Sequence, residues 1–119
     1  MTEYCGVFRN QELMSQGLEK IAELQQKSSQ IYLDDKGKSW NTELVEALEL
    51  QSLMIVGQTI LTSAINRQKS RGAHFREDFS QRDDHKFLKH TMAYYSPTGI
   101  DIQYRPVTIT MFEPKERKY

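Results

Sequence analysis

The stretch that decides the fold runs from Asn41 to Arg71 and reads NTELVEALELQSLMIVGQTILTSAINRQKSR. Asn41 is a favourable N-cap, and Gly72 suits the left-handed residue that often follows a helix, so the pattern predicts one helix over about residues 42–71. The central part of this helix is apolar on nearly every face, which is typical of a helix at the centre of a bundle. Because polar residues interrupt the apolar part, we expect it to be too short to cross a bilayer.

Trp40 stands directly before this helix, and Val45 lies four residues beyond the cap. This spacing is typical of a hydrophobic staple, in which the residue before the cap packs against the first turn. We therefore expect the Trp40 ring to be substantially buried.

A second helix is predicted upstream. Asn10 is a plausible N-cap, and an apolar stripe at spacings of three and four residues follows it, consisting of Leu13, Met14, Leu18, Ile21 and Leu24. The stripe indicates an amphipathic helix over about residues 11–30. We expect a further short helix over about residues 1–8, so that residues 1–71 form a three-helix bundle.

The remainder of the chain, residues 72–119, has a different pattern. A charged, irregular stretch over residues 72–86 is followed by two β-rich runs on either side of Ser96–Gly99, which predicts a hairpin. Pro106 should lie at an edge or end of the second strand, and the tail should be extended. The predicted fold class is mainly α: a three-helix bundle with a charged loop and a C-terminal β-hairpin and tail of the same domain.

The charge balance is neutral, with 16 basic and 16 acidic residues. Proteins that bind nucleic acid usually carry a basic face, so this balance argues against such a partner. The single cysteine, Cys5, cannot form an internal disulfide, which suits a reducing compartment. Residues 1–12 lack the apolar core of a signal peptide.

The residue pattern contains no recognisable catalytic or cofactor site. His74, His85 and His90 lack a second ligand at zinc-site spacing, and Cys5 has no activating base near it in sequence. The glycines form no phosphate-binding loop. We therefore predict no catalytic, cofactor-binding or metal-binding residue in this chain.

The densest cluster of charge lies over residues 70–84, where three arginines alternate with four carboxylates and two phenylalanines. One interpretation is a solvated loop whose ion pairs each contribute little. The other is a loop folded against a surface, with arginines in planar bidentate contacts. The pattern alone favours neither.

The order of several motifs resembles the C-terminal domain of succinate dehydrogenase and fumarate reductase flavoprotein subunits. The resemblance rests on these segments: Gly6–Arg9, Trp40–Glu46, Leu48–Gln51, Ser70–Asp78, Arg82–Asp84, Leu88–Thr91 and Tyr104–Val107. Ser80 and Phe87 depart from the family, whose members often have Pro and Trp there. The short loop between Asp78 and Leu88 resembles bacterial members.

The resemblance implies a parent flavoprotein with covalent FAD that interconverts succinate and fumarate and passes electrons to an iron–sulfur subunit and quinone. It implies a three-helix bundle for this region and a cytoplasmic location, with membrane attachment through partner subunits and no direct membrane contact. The family's catalytic and flavin-linking residues precede this domain, so none is carried over. We expect an interdomain docking site toward the flavin-binding and capping domains, formed by Arg71, His74, Arg76, Asp78 and Arg82.

Two alternatives stay open. L-aspartate oxidase shares a version of the segment around Ser70–His74, but generally lacks the counterparts of Arg82–Asp84, Leu88–Thr91 and Tyr104–Val107. The chain could also be an independent helical module that binds a partner protein.

Overall fold

A computed structural model describes residues 1–115; the last four residues of the predicted tail, 116–119, lie outside the described part. The elements in chain order are β1 (Phe8–Arg9), α1 (Gln11–Ser28), α2 (Thr42–Asn66), β2 (Phe75–Arg76), α3 (Asp84–Phe87), β3 (Lys89–Ser96) and β4 (Gly99–Pro106). β1 and β2 form a short parallel pair, and β3 and β4 form an antiparallel hairpin.

Both predicted N-caps of the long helices are confirmed. The Asn10 side chain accepts a hydrogen bond from the Leu13 amide at 2.9 Å, and Asn41 accepts one from Leu44 at 2.8 Å. These bonds satisfy amides that have no partner within the helix itself. Each helix therefore begins where the sequence predicts.

The core lies between α1 and α2. Its buried apolar residues are Met14, Ile21, Met54, Leu61 and Ala64. Gly17 permits close packing, because a Cβ atom there would lie 2.7 Å from the Tyr4 Cβ and 3.1 Å from the Leu61 Cδ1. The N-terminal segment thus packs across the α1–α2 pair.

The helix predicted over residues 1–8 is wrong. These residues form turns, with one helix-like hydrogen bond from the Cys5 amide to the Met1 carbonyl at 2.8 Å, and then enter β1. Arg9 donates from Nε to the Gly6 carbonyl at 2.8 Å, which fixes the exit from the turn. Within residues 1–115, two long helices and the four-residue α3 replace the expected three-helix bundle.

α2 ends at Asn66, five residues earlier than predicted. Arg67 leaves the helical conformation with φ −97° and ψ 88°. The guanidinium of Arg76 donates hydrogen bonds to the carbonyls of Ala64 and Ile65. A side chain therefore replaces the amides of the next helical turn. Gly72 has the expected positive φ of 58°, but in a turn beyond the helix.

The predicted burial of Trp40 is wrong, since its side chain is 98% exposed. Trp40 has a positive φ of 57°, and polar contacts hold the loop in place of a staple. The Asn41 side-chain amide donates to the carbonyls of Asp35 and Gly37, and the Glu43 carboxylate accepts from the Asp35 amide.

The predicted hairpin is confirmed, with Ser96 paired to Gly99 at the turn and Pro106 at the end of β4, opposite Lys89. Gly99 has a φ of 135°, a conformation that favours glycine. Arg67 connects the hairpin to α2 by donating to the Lys89 carbonyl at 2.9 Å.

Candidate interdomain docking site

Arg76 is the most deeply buried polar residue of the charged segment, with no exposed surface. Its guanidinium donates to both carboxylate oxygens of Asp78, at 2.7 and 2.6 Å, in the planar bidentate geometry expected of such pairs. It also donates to the carbonyls of Ala64 and Ile65 at 3.1 and 3.2 Å, and to the Gln11 side chain at 3.3 Å. Arg76 therefore caps the C-terminal end of α2, where a positive charge is favourable.

Asp78 extends this connection to the start of α1. Its carboxylate accepts from the Gln11 amide at 2.9 Å, at the positive end of that helix. The hydrogen bond from Arg76 lowers the pKa of Asp78 below its ordinary value, and the Gln11 amide adds to this shift. The Arg76–Asp78 pair thus joins the end of α2 to the beginning of α1.

His74 lies between two arginines. Its Nδ1 accepts from the Arg9 guanidinium at 3.1 Å, and its Nε2 donates to the Arg67 carbonyl at 2.9 Å. Burial lowers the pKa of His74, the bond to Arg67 opposes this shift, and the charge of Arg9 adds to it. The ring is therefore a neutral connector between β1 and the end of α2.

Arg71 and Arg82 share one carboxylate. Arg71 donates to Asp84 Oδ1 at 2.9 Å, and the Arg82 guanidinium pairs with Asp84 Oδ2. Arg82 also donates to the Lys115 carbonyl at 2.7 Å. Asp83 instead caps α3 by accepting from the Lys86 amide.

The structure therefore separates the five predicted site residues into two groups. Arg76, Asp78 and His74 surround the ends of α1 and α2, while Arg71 and Arg82 meet at Asp84. All five contact other residues of the same chain; that they also contact another domain stays a prediction.

Sequence reasoning missed three residues of this region that the structure buries or engages in hydrogen bonds. Ser70 is buried, and its hydroxyl accepts from the Arg76 amide at 2.8 Å and donates to the Phe79 carbonyl at 2.9 Å. Arg67 reaches α3 and the hairpin, and Lys69 is only 3% exposed. The pattern did not indicate the role of Ser70, because that role depends on contacts with residues six and nine positions later.

α2 also carries apolar side chains outside the face that packs on α1. This outer stripe is largely exposed and consists of Val45 (53%), Leu48 (60%), Val56 (54%) and Ile60 (44%). By length and composition α2 could also cross a membrane, contrary to the expectation from sequence. Such a match is weak evidence for a span, because helices of soluble proteins pass the same test.

Among residues 1–115, no group of three or more His, Cys, Asp or Glu side chains is arranged to hold a metal ion.

Comparison with known proteins identifies the family. The family model described as "Fumarate reductase flavoprotein C-term" matches residues 1–119. The chain belongs to this family.

Relatives within the fumarate reductase and succinate dehydrogenase group support this membership. The chain is 42% identical over 120 residues to the fumarate reductase flavoprotein subunit of Haemophilus influenzae, covering 100% of the chain and 20% of that protein. It is 40% identical over 111 residues to the succinate dehydrogenase flavoprotein subunit of Rickettsia bellii, covering 92% of the chain and 19% of that protein.

A solved structure of quinol fumarate reductase from E. coli shares the fold, with a TM-score of 0.92 and 38% identity over 98% of this chain and 20% of that one. The flavoprotein C-terminal domain described here therefore spans about a fifth of the length of the relatives that it matches.

Proposed function

We propose that this chain is the non-catalytic, structural C-terminal domain of a flavoprotein that interconverts succinate and fumarate. The match of the whole chain to the family supports this assignment. Covalent FAD and the groups that act on substrate belong to the part of the parent protein that lies outside this domain. The domain alone should be colourless and should not reduce a dye with succinate.

The outer stripe of α2 is the observation that carries a docking function. A helix that is apolar on more than one face needs a neighbour on each, and within residues 1–115 the outer stripe stays largely exposed. The radius of gyration is 18.2 Å, whereas a compact domain of this length has about 13.5 Å. The domain is therefore shaped to lie along another body.

We assign the covering body to the flavin-binding and capping domains of the parent chain. About four fifths of the relatives' length lies outside the match, which is ample to cover the stripe. A lipid environment is less suitable, because Glu43, Glu46 and Glu49 lie in the first two turns of the same helix.

The charged segment serves this docking indirectly. The contacts of Arg76, Asp78 and His74 fix its shape, whereas the side chains of Arg71 and Arg82 are 32% and 19% exposed beside Asp84. In our proposal these two arginines meet the covering domains, and the other three hold the segment in place for that contact. Ion pairs at such an interface fix orientation more than they add stability.

We infer the remaining partners from the resemblance to the family. Electrons from the parent flavoprotein pass to an iron–sulfur subunit and on to quinone. The parent protein lies on the cytoplasmic face of the membrane in a bacterium, attached through its partner subunits. The domain itself contacts neither nucleic acid nor lipid.

The test compares Val56→Asp, on the outer stripe, with Ala22→Asp, a matched charge on the exposed side of α1. Both variants should leave the stability of the 119-residue chain nearly unchanged, because both positions are exposed. In the full-length flavoprotein, Val56→Asp should lower flavin content and increase proteolysis of the C-terminal domain, whereas Ala22→Asp should not. Equal behaviour of the two full-length variants would refute docking through the outer stripe.

A further inference from the structure

Lys69 is a buried cation without a partner among residues 1–115. It is 3% exposed, and its side chain forms no hydrogen bond or ion pair with any residue of the described range 1–115. Its backbone is held in a tight turn by a bond from its amide to the Arg67 carbonyl at 3.0 Å, next to the buried Ser70. The turn places the side chain inside the charged segment.

The charges around Lys69 are mostly of its own sign. Arg67, Arg71 and Arg82 all repel its ammonium group, and Asp84 attracts it. Asp84 already accepts from both Arg71 and Arg82. Burial, reinforced by the neighbouring arginines, lowers the pKa of Lys69 to about 8.

The ammonium group keeps a small opening to the outside. In residues 1–115 no side-chain nitrogen or oxygen is both fully buried and without a partner, so the exposed surface of Lys69 includes its ammonium end. An ammonium that has lost most of its water and gained no carboxylate is costly. A methionine would fill the same space without that cost.

We propose that Lys69 forms half of an ion pair, completed by an Asp or Glu side chain of the domains that cover this one in the full-length flavoprotein. The proposal rests on the docking function described above and gives the chemistry of one contact within it. A carboxylate carried on a covering surface reaches the opening and excludes the remaining water. A free hydrated anion would have to lose its water at an opening of only 3% of the residue surface.

The test is whether Lys69→Met changes the unfolding equilibrium constant in opposite directions in the 119-residue chain and in the full-length flavoprotein. In the 119-residue chain at neutral pH, Lys69→Met should lower the unfolding equilibrium constant by on the order of tenfold, because it removes an unpaired cation. In the full-length flavoprotein the same substitution should raise that constant and lower flavin retention, because it strands the partner carboxylate. Lys86→Met, at an exposed lysine of α3, is the control and should change neither form.

The outcomes separate this proposal from the docking function. If Lys69→Met stabilises both forms while Val56→Asp weakens the full-length protein, docking stands and the ion pair is refuted. If Val56→Asp also has no effect, docking itself fails. Destabilisation of the 119-residue chain by Lys69→Met would mean that the pair is already formed within it, which also refutes the proposal.

A last experiment tests whether a free carboxylate binds at Lys69. Succinate and acetate are added to the 119-residue chain, with sodium chloride at equal ionic strength as the reference. The proposal predicts no saturable stabilisation by either carboxylate. Saturable stabilisation that is lost in Lys69→Met would refute it and assign the site to a small carboxylate instead.

Discussion

Removal of the Arg76 side chain should be among the most damaging single substitutions in the charged segment. Arg76→Ala deletes five hydrogen bonds: two to Asp78, two to the last carbonyls of α2 and one to Gln11. The Ala64 carbonyl keeps its bond from the Arg67 amide, so the Ile65 carbonyl is the one left unsatisfied, at a cost of about 1–3 kcal/mol, and breaking a buried pair costs about 3–5 kcal/mol. Because the Asp78 side chain is 29% exposed and regains some water, we expect a total near 4 kcal/mol.

The assay is urea unfolding of the 119-residue chain, followed by far-ultraviolet circular dichroism. A loss of about 4 kcal/mol corresponds to roughly a thousandfold increase in the unfolding equilibrium constant. Arg76→Lys should recover only part of the loss, since an ammonium cannot donate to both carboxylate oxygens and both carbonyls in one plane. Lys20→Ala breaks an exposed pair with Glu23 and should leave the midpoint unchanged.

The dependence on pH gives a second readout. The pKa of Asp78 is lower in the folded chain than in the unfolded chain, so its contribution is present above the ordinary value near 3.8 and is lost as the pH falls toward the folded pKa. Arg76→Ala should therefore also weaken the loss of stability on acidification. Suppose that Arg76→Ala lowers the unfolding free energy by less than about 1 kcal/mol and loses stability on acidification as the wild type does. This result would refute the role of the Arg76–Asp78 pair in joining α1 to α2.

Three further results are expected in the 119-residue chain. The pKa of Lys69 is about 8 in the folded chain and 10.5 in the unfolded chain, so between these pH values the unfolded state binds more protons. The unfolding free energy should therefore rise with pH over this range, by at most ~3 kcal/mol, in the wild type but not in Lys69→Met. Trp40→Ala should change the unfolding free energy by less than about 0.5 kcal/mol, since the ring is 98% exposed; a loss near 3 kcal/mol would show that the ring is packed. Gly17→Ala should destabilise by about 1–2 kcal/mol, because the clash with Tyr4 at 2.7 Å outweighs the gain in helix propensity; a higher urea midpoint would contradict this.

The parts of the fold that depend on local chemistry could be predicted from the sequence. Asn10 and Asn41 cap helices through amides three residues away, and the hairpin turn needs only the segment Ser96–Gly99. In each case the residues that decide the structure are neighbours along the chain. A pattern read over a few residues is therefore sufficient.

The end of α2 could not be predicted, because the residue that ends it is distant in sequence. Residues 67–71 include nothing that forbids a helix, and Gly72 is a reasonable stop. The carbonyls of Ala64 and Ile65 are instead taken by Arg76, 12 and 11 residues further along. The helix stops early because a buried guanidinium occupies the position of the next turn.

The charged segment and the apolar helix show how little composition says about where a segment finds its partners. The composition of the charged segment left open a solvated loop or a loop folded against a surface, and in the structure Arg76 is fully buried and satisfied within the chain. An apolar helix suggested the centre of a bundle, yet the side chain of Val56 on α2 is 54% exposed. The reason is that composition reports how much burial a segment requires, but not whether the same chain provides it. Arg76 finds its partners in the ends of α1 and α2, whereas the outer stripe of α2 stays largely exposed within residues 1–115. In our proposal the contact with the rest of the flavoprotein is therefore apolar at its centre and charged only at its rim, near Lys69 and Arg71.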